Sequence, residues 1–226
     1  MCAILLTVSS AFCGTAFAAP LQGTEKAAVS AESALHVDSS RWNYDKDNDI
    51  YYQIGLVYCK NPAASEYESL SVYVPGAYMK GTPNADGTYT CQISDKGKVG
   101  EYTARTAPVI MPVNTGGYAA QKAPSSYAPK GLNTYLSQGF VYVFAGCRGR
   151  DNGTNPDGTT FDGGAPWGVT DLKAAVRYLR YNDSFLPGNK DRIFTFGHSG
   201  GAPRAPSWGP PVTTSSTGPT WILSAP

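Results

Sequence analysis

The pentapeptide Gly197-His198-Ser199-Gly200-Gly201 holds a serine between two glycines. That spacing fits a nucleophile presented on a sharp strand-to-helix turn. The chemistry it could do is acyl transfer: attack on a carbonyl, a covalent acyl-serine, and release by water. The glycines have a steric reason, because side chains flanking so tight a corner would meet the neighbouring strands. The pattern alone carries little and needs a buried strand directly before it. Residues 192–196, Arg-Ile-Phe-Thr-Phe, supply that strand.

Acyl transfer also requires hydrogen-bond donors for the oxyanion that develops on the attacked carbonyl. The backbone N–H of Gly200, next after the nucleophile, is one expected donor, and a loop after an earlier strand should give the second. Asn114-Thr115-Gly116-Gly117-Tyr118 follows the apolar segment 107–113, which makes Gly117 the expected second donor. A general base is harder to find. On this kind of turn the chain order is Ser, then Asp or Glu, then His, yet no Asp, Glu or His follows Ser199. The turn should point His198 away from the nucleophile, and His36 lies on the wrong side of the order. The chain as it stands is expected to be nearly inert.

The elements that must position these residues can be read along the chain. Residues 51–58 and 70–74 are rich in β-branched and aromatic residues and read as strands. Asn84-Ala85-Asp86-Gly87-Thr88 is turn chemistry, at the tip of an excursion running to Lys98. Residues 107–113 form a third strand and 132–138 a short helix. Residues 140–145 are apolar without alternation, as in strands buried on both faces. A Gly/Asp/Asn-rich loop over 146–164 leads to an amphipathic helix with Val169, Leu172, Ala175, Val176 and Leu179 on one stripe. Pro187-Gly188 stops that helix before the strand at 192–196. Strand, helix, strand over these lengths implies a right-handed crossover. The expected fold is α/β, a mostly parallel sheet with flanking helices that is cut off after the serine turn.

Three blocks together resemble the α/β-hydrolase fold, nearest to the bacterial tannase and feruloyl-esterase-like carboxylesterases. They are Phe144-Ala145-Gly146-Cys147-Arg148-Gly149-Arg150-Asp151, the helix from Asp171 to Arg180, and Phe196 to Gly201. The resemblance spans residues 51–202, the N-terminal part of such a domain. It implies hydrolysis of carboxylic esters, including those of phenolic acids such as gallate, with a small-molecule ester as partner. In such families the galloyl-binding residues lie in a lid inserted beyond the serine turn, so none is carried over. A serine peptidase of the same fold, and a secreted scaffold or binding protein without catalysis, are the rival readings.

Composition sets the remaining bounds. The chain has 226 residues, 42% hydrophobic and 15% charged, with formal net charge +1. A real core is expected, and a broad basic face for nucleic acid is not. Residues 1–18 read as a secretory signal: an uncharged apolar run too short to span a bilayer, then Ala16-Phe17-Ala18. The protein is therefore expected to be secreted or at the cell surface, without a membrane span. Residues 19–45 read as a linker and 46–202 as the hydrolase portion. Of Cys59, Cys91 and Cys147, the first two are the pair to expect if a disulfide forms. No metal or cofactor is expected. Asp45, Asp47 and Asp49 lack the rest of a calcium loop and read as a solvated turn. Residues 203–226 are proline- and hydroxyl-rich where a helix should follow the turn. Read one base out of register from Pro203, they can encode a small and apolar helix start, so a frame-shifted tail is expected.

Overall fold

The computed structural model describes residues 35–150, 157–159, 165–197 and 220–223. The expectations for the signal, for His198 to Gly201 and for most of the tail lie outside these residues. Strands run β1 (Asn43–Asp45), β2 (Ile50–Val57), β3 (Ser69–Pro75), β4 (Met79–Pro83), β5 (Tyr89–Ile93), β6 (Lys98–Val99), β7 (Tyr102–Thr103), β8 (Pro108–Val113), β9 (Val141–Ala145), β10 (Asn189–Gly197) and β11 (Thr220–Leu223). Two α-helices are described, the one-turn α1 (Asn133–Leu136) and the 17-residue α2 (Ala165–Tyr181).

Seven strands make the main sheet, in the order β1-β2-β3-β9-β8-β10-β11. Only β9–β8 and β8–β10 pair in parallel; the other four pairings are antiparallel. The expectation of a mostly parallel sheet is corrected accordingly. The connections β1–β2 and β2–β3 are too short for a crossover and force neighbouring strands to run opposite ways. The connections that return the chain in the same direction, β8 to β9 and β9 to β10, carry α1 and α2.

Alternation sorts the central strands between two layers. Val141, Val143 and Ala145 of β9 share a core with Val109, Met111 and Val113 of β8 and with Leu172, Ala175, Val176 and Leu179 of α2. Tyr142 and Phe144 face the other layer, with Leu132 and Leu136 around α1. The expected helical stripe is the face that α2 buries. Leu172 and Leu179 are almost wholly removed from water, each contributing roughly 1.5–3 kcal/mol. The helix ends at Tyr181, and Gly188 turns the chain back with φ +104. A side chain there would also strike Val109.

Two expectations about the edges change. Residues 35–45 are packed, not a linker: Trp42 is fully buried and exchanges backbone hydrogen bonds with Tyr89. Asn182 clamps the same stretch, accepting from the Val37 N–H at 2.8 Å and donating to the Leu35 carbonyl at 2.9 Å. The edge of β10, expected open where the sheet is cut off after the serine turn, is paired antiparallel with β11 from Phe194 to Gly197. Finally, Cys59, Cys91 and Cys147 are all free thiols, so the Cys59–Cys91 bridge is not formed. Cys91 is buried in the core, whereas Cys59 lies against the Glu68 carboxylate.

Candidate active site

The sheet places the expected site by its connectivity. The chain leaves the C-terminal end of β8 toward β9, on one side, and leaves β10 toward β11, on the other. Adjacent parallel strands whose connections diverge open a crevice beyond their carboxyl ends, which is where open α/β sheets bind ligands. Gly197, the last residue of β10, stands in register with Val113, the last residue of β8. The loop beginning at Asn114 therefore leaves the sheet beside the end of β10. Of the serine turn, Gly197 is described; His198, Ser199, Gly200 and Gly201 lie outside the described residues.

Gly116–Tyr118 form a single 3-10 turn, in which Gly117 adopts φ +58. The turn is closed by Tyr118 N–H on the Thr115 carbonyl and Ala119 N–H on the Gly116 carbonyl, at 3.1 and 3.0 Å. The Gly117 N–H has no acceptor among the described residues. Space around Gly117 is open, with no atom within 4 Å of where a Cβ would stand. An amide in that setting can donate to an incoming oxyanion. Tyr118 also takes a left-handed backbone, φ +64, a conformation costing a non-glycine residue about 1–2 kcal/mol. Its carbonyl accepts from the Arg150 N–H at 2.8 Å, which ties it to the loop after β9.

Two groups that sequence reasoning passed over fix these loops. Gln121 is buried and spans both strand ends. Its Oε1 accepts from the Asn114 N–H at 2.5 Å, and its Nε2 donates to the Ala145 carbonyl at 2.6 Å. Its backbone exchanges two hydrogen bonds with Cys147, each 2.8 Å. The second group is Arg148, nine-tenths buried. Its guanidinium donates to both oxygens of Asp171, at 2.9 and 2.7 Å, and its backbone N–H gives a third bond to the same carboxylate. Glu68 lies 3.3 Å away on the other side and also accepts the Ala64 N–H at 2.6 Å. Hydrogen bonding to Asp171 raises the Arg148 pKa above its ordinary value, so the guanidinium stays charged. Burial, helped by the same carboxylates, pushes the Cys59 thiol up to about 12 and leaves it protonated.

These contacts give the Gly146-Cys147-Arg148-Gly149 block a structural meaning. A side chain at Gly149 would begin 1.9 Å from the Ala120 nitrogen, and one at Gly146 would begin 2.4 Å from the Tyr67 carbonyl oxygen. The loop after β9 must lie flat against the loop after β8, and only glycine permits that approach. The one sequence signal for the Arg148 partner was Asp171, an acid on the buried side of a helix. Gln121 had no such signal.

The remaining candidates are held by other partners. His36 bonds the Tyr181 hydroxyl at 2.9 Å, beyond the opposite end of α2, and is not a base for this site. Asp45 is occupied by Asn48 and by the Tyr127 hydroxyl at 2.6 Å, and Asp49 by the Tyr44 hydroxyl at 2.7 Å. That is the solvated turn expected there. No cluster of three or more potential metal ligands occurs among the described residues. Among those residues no helix is long and apolar enough to cross a membrane.

No family model and no curated protein matches the sequence. Solved structures do. The tannase of Fusobacterium nucleatum is 30% identical over 67% of this chain and 29% of its own, with a TM-score of 0.53. The native tannin acyl hydrolase of Lactobacillus plantarum is 33% identical over 67% and 31%, also at 0.53. A second structure of the L. plantarum tannase reaches a TM-score of 0.60 at 28% identity, over 76% and 35%. Tannin acyl hydrolase structures among the matches hold ethyl gallate and 3,4-dihydroxybenzoate. The chain spans about a third of the length of these tannases, and over that span its fold is tannase-like.

Proposed function

We propose that the chain carries the nucleophile portion of a tannase-like serine carboxylic-ester hydrolase of the α/β-hydrolase type, acting on phenolic-acid esters outside the cell. The observation that carries this reading is the register of Gly197 against Val113. It sets the first residue of the serine turn beside the loop that bears the open Gly117 amide. Tannases are what the chain matches, and ligands of the phenolic class sit in some of those structures.

In this reading Ser199 Oγ attacks the ester carbonyl carbon, and the Gly117 and Gly200 N–H groups hold the oxyanion. The carbon–oxygen bond to the alcohol breaks, and the alcohol leaves with a proton. Water then cleaves the acyl-serine to release the acid. No Asp, Glu or His follows Ser199 in this sequence, so none of these residues takes the Ser199 proton in the usual order.

The test is covalent. The 226-residue protein is incubated with a fluorophosphonate and the adduct mapped by mass spectrometry. A slow adduct on Ser199 that disappears in Ser199→Ala supports the reading. An adduct confined to other serines, or none after prolonged incubation, refutes it.

A further inference from the structure

Strand β2 carries a bulge. Its register on β3 runs from Gln53 opposite Val72 to Leu56 opposite Leu70, so Ile54 and Gly55 together stand against Ser71. Gly55 takes φ +77 there, a backbone that glycine makes cheap. Strict alternation would send Gln53 and Ile54 to opposite faces of the sheet; at the bulge Gln53, Ile54 and Leu56 all line one cavity of about 420 Å³. The other wall is the chain around the start of β1. β1 follows β2 only as far as Asn43 opposite Tyr52, and Trp42 turns away to pair with Tyr89. Asp38, Arg41 and Asn43 line the cavity across the gap that this leaves.

Four polar groups of these residues have no partner among the described residues. Gln53 is 5% exposed; its Nε2 donates to the Asp38 carbonyl at 2.7 Å, and its Oε1 accepts nothing. The Ser40 hydroxyl and N–H both bond Oδ1 of Asp38, at 2.6 and 2.9 Å, which leaves Oδ2. Those bonds hold the Asp38 carboxyl below its ordinary pKa, so it stays charged. The Arg41 guanidinium and the Asn43 amide make neither a hydrogen bond nor an ion pair.

We infer that this cavity is a binding site for a neutral sugar ring, a pyranose. Asp38 and Arg41 offset each other, so an anion or a cation gains little there. Hydroxyls both donate and accept, which suits two acceptors, Asp38 Oδ2 and Gln53 Oε1, set with two donors, Arg41 and Asn43. The half-buried Ile54 and Leu56 offer an apolar wall to the C–H face of the ring. The volume falls within the roughly 300–1,000 Å³ of small-molecule sites. The lining comes from none of the loops that leave β8, β9 or β10, so the inference does not rest on the ester-hydrolase reading.

Ligand-observed NMR titration of the 226-residue protein tests it, with glucose, galactose and mannose as sugar probes and acetate and methylammonium as charged ones. At least one sugar should bind saturably at millimolar concentration, and neither ion should. Arg41→Ala should weaken the sugar about 10-fold or more, and Asn43→Ala about 3- to 10-fold. Neither side chain holds a partner in the fold, so both variants should melt with the unmutated protein. Lys46→Ala, which removes an exposed cation outside the cavity, should change nothing. Binding of none of the three sugars overturns the site. So does sugar binding that survives both Arg41→Ala and Asn43→Ala, an equal loss in Lys46→Ala, or tighter binding of either ion. Labelling of Ser199 is read separately, and its failure leaves the sugar site standing.

Discussion

Replacing Asp171 by alanine asks how much the loop after β9 depends on one carboxylate. Asp171 accepts three hydrogen bonds from Arg148 and is 2% exposed. Removing it strands a guanidinium that is itself nine-tenths buried. Breaking a buried pair from one side costs about 3–5 kcal/mol. Glu68, 3.3 Å from the same nitrogen, keeps part of the charge compensated and puts the expectation near the lower limit, about 3 kcal/mol. For a chain of this length that lowers Tm by roughly 6–12 °C. Urea and thermal unfolding of Asp171→Ala measure it, with Asp191→Ala as the reference. Asp191 meets Arg180 at 4.0 Å in an exposed pair, and its loss should cost no more than about 0.5 kcal/mol. The double variant Arg148→Met, Asp171→Leu removes both charges and should recover at least half of the loss. The reasoning is refuted if Asp171→Ala costs no more than Asp191→Ala, or if the double variant is less stable than the single one.

Gly149→Ala places a methyl group on the Ala120 backbone and should cost about 2–3 kcal/mol; a melt within 1 °C of the unmutated protein would show that the two loops are not packed as described. Lys190 is buried, donates to the Leu186 and Gly188 carbonyls and meets Asp183 at 3.0 Å, and burial pulls its pKa down from 10.5 to about 8. Between pH 8 and 10.5 the unfolded chain therefore binds more protons at this site than the folded one, and stability from Lys190 rises with pH across that window. The unfolding free energy relative to Lys190→Met should climb by on the order of 3 kcal/mol from pH 7.5 to 10.5, measured by urea titration at each pH. A flat or falling difference would contradict it.

What the sequence made legible follows what burial does to a strand. Continuous apolar runs placed β9 and β10 within a few residues, because strands covered on both faces lose their alternation. The same rule misled on direction. All seven residues of β3 are buried although it pairs antiparallel on both sides, so an apolar run reports coverage, not orientation. The packed stretch from residue 35 was missed because its anchors, Val37, Trp42 and the bonds from Asn182, are scattered and leave no periodicity to read. At the site, the turn at Gly116-Gly117 was legible because a positive φ is a backbone that glycine makes cheap. Gln121 was not. Its acceptors and donors at Asn114, Ala145 and Cys147 are brought together only by the sheet, and a lone glutamine among three alanines and one lysine carries no local pattern.

The clamp that Asn182 places on Leu35 and Val37 has a practical consequence. Helix α2 starts at the edge where the crevice lies and runs 17 residues away from it, about 25 Å. The segment before residue 37 enters the domain at that far pole. A bead, an electrode or a fusion partner joined directly at residue 35 is thus attached at the pole opposite the carboxyl ends of β8 and β10. For immobilising the protein, that junction is the handle that leaves those strand ends facing the solution.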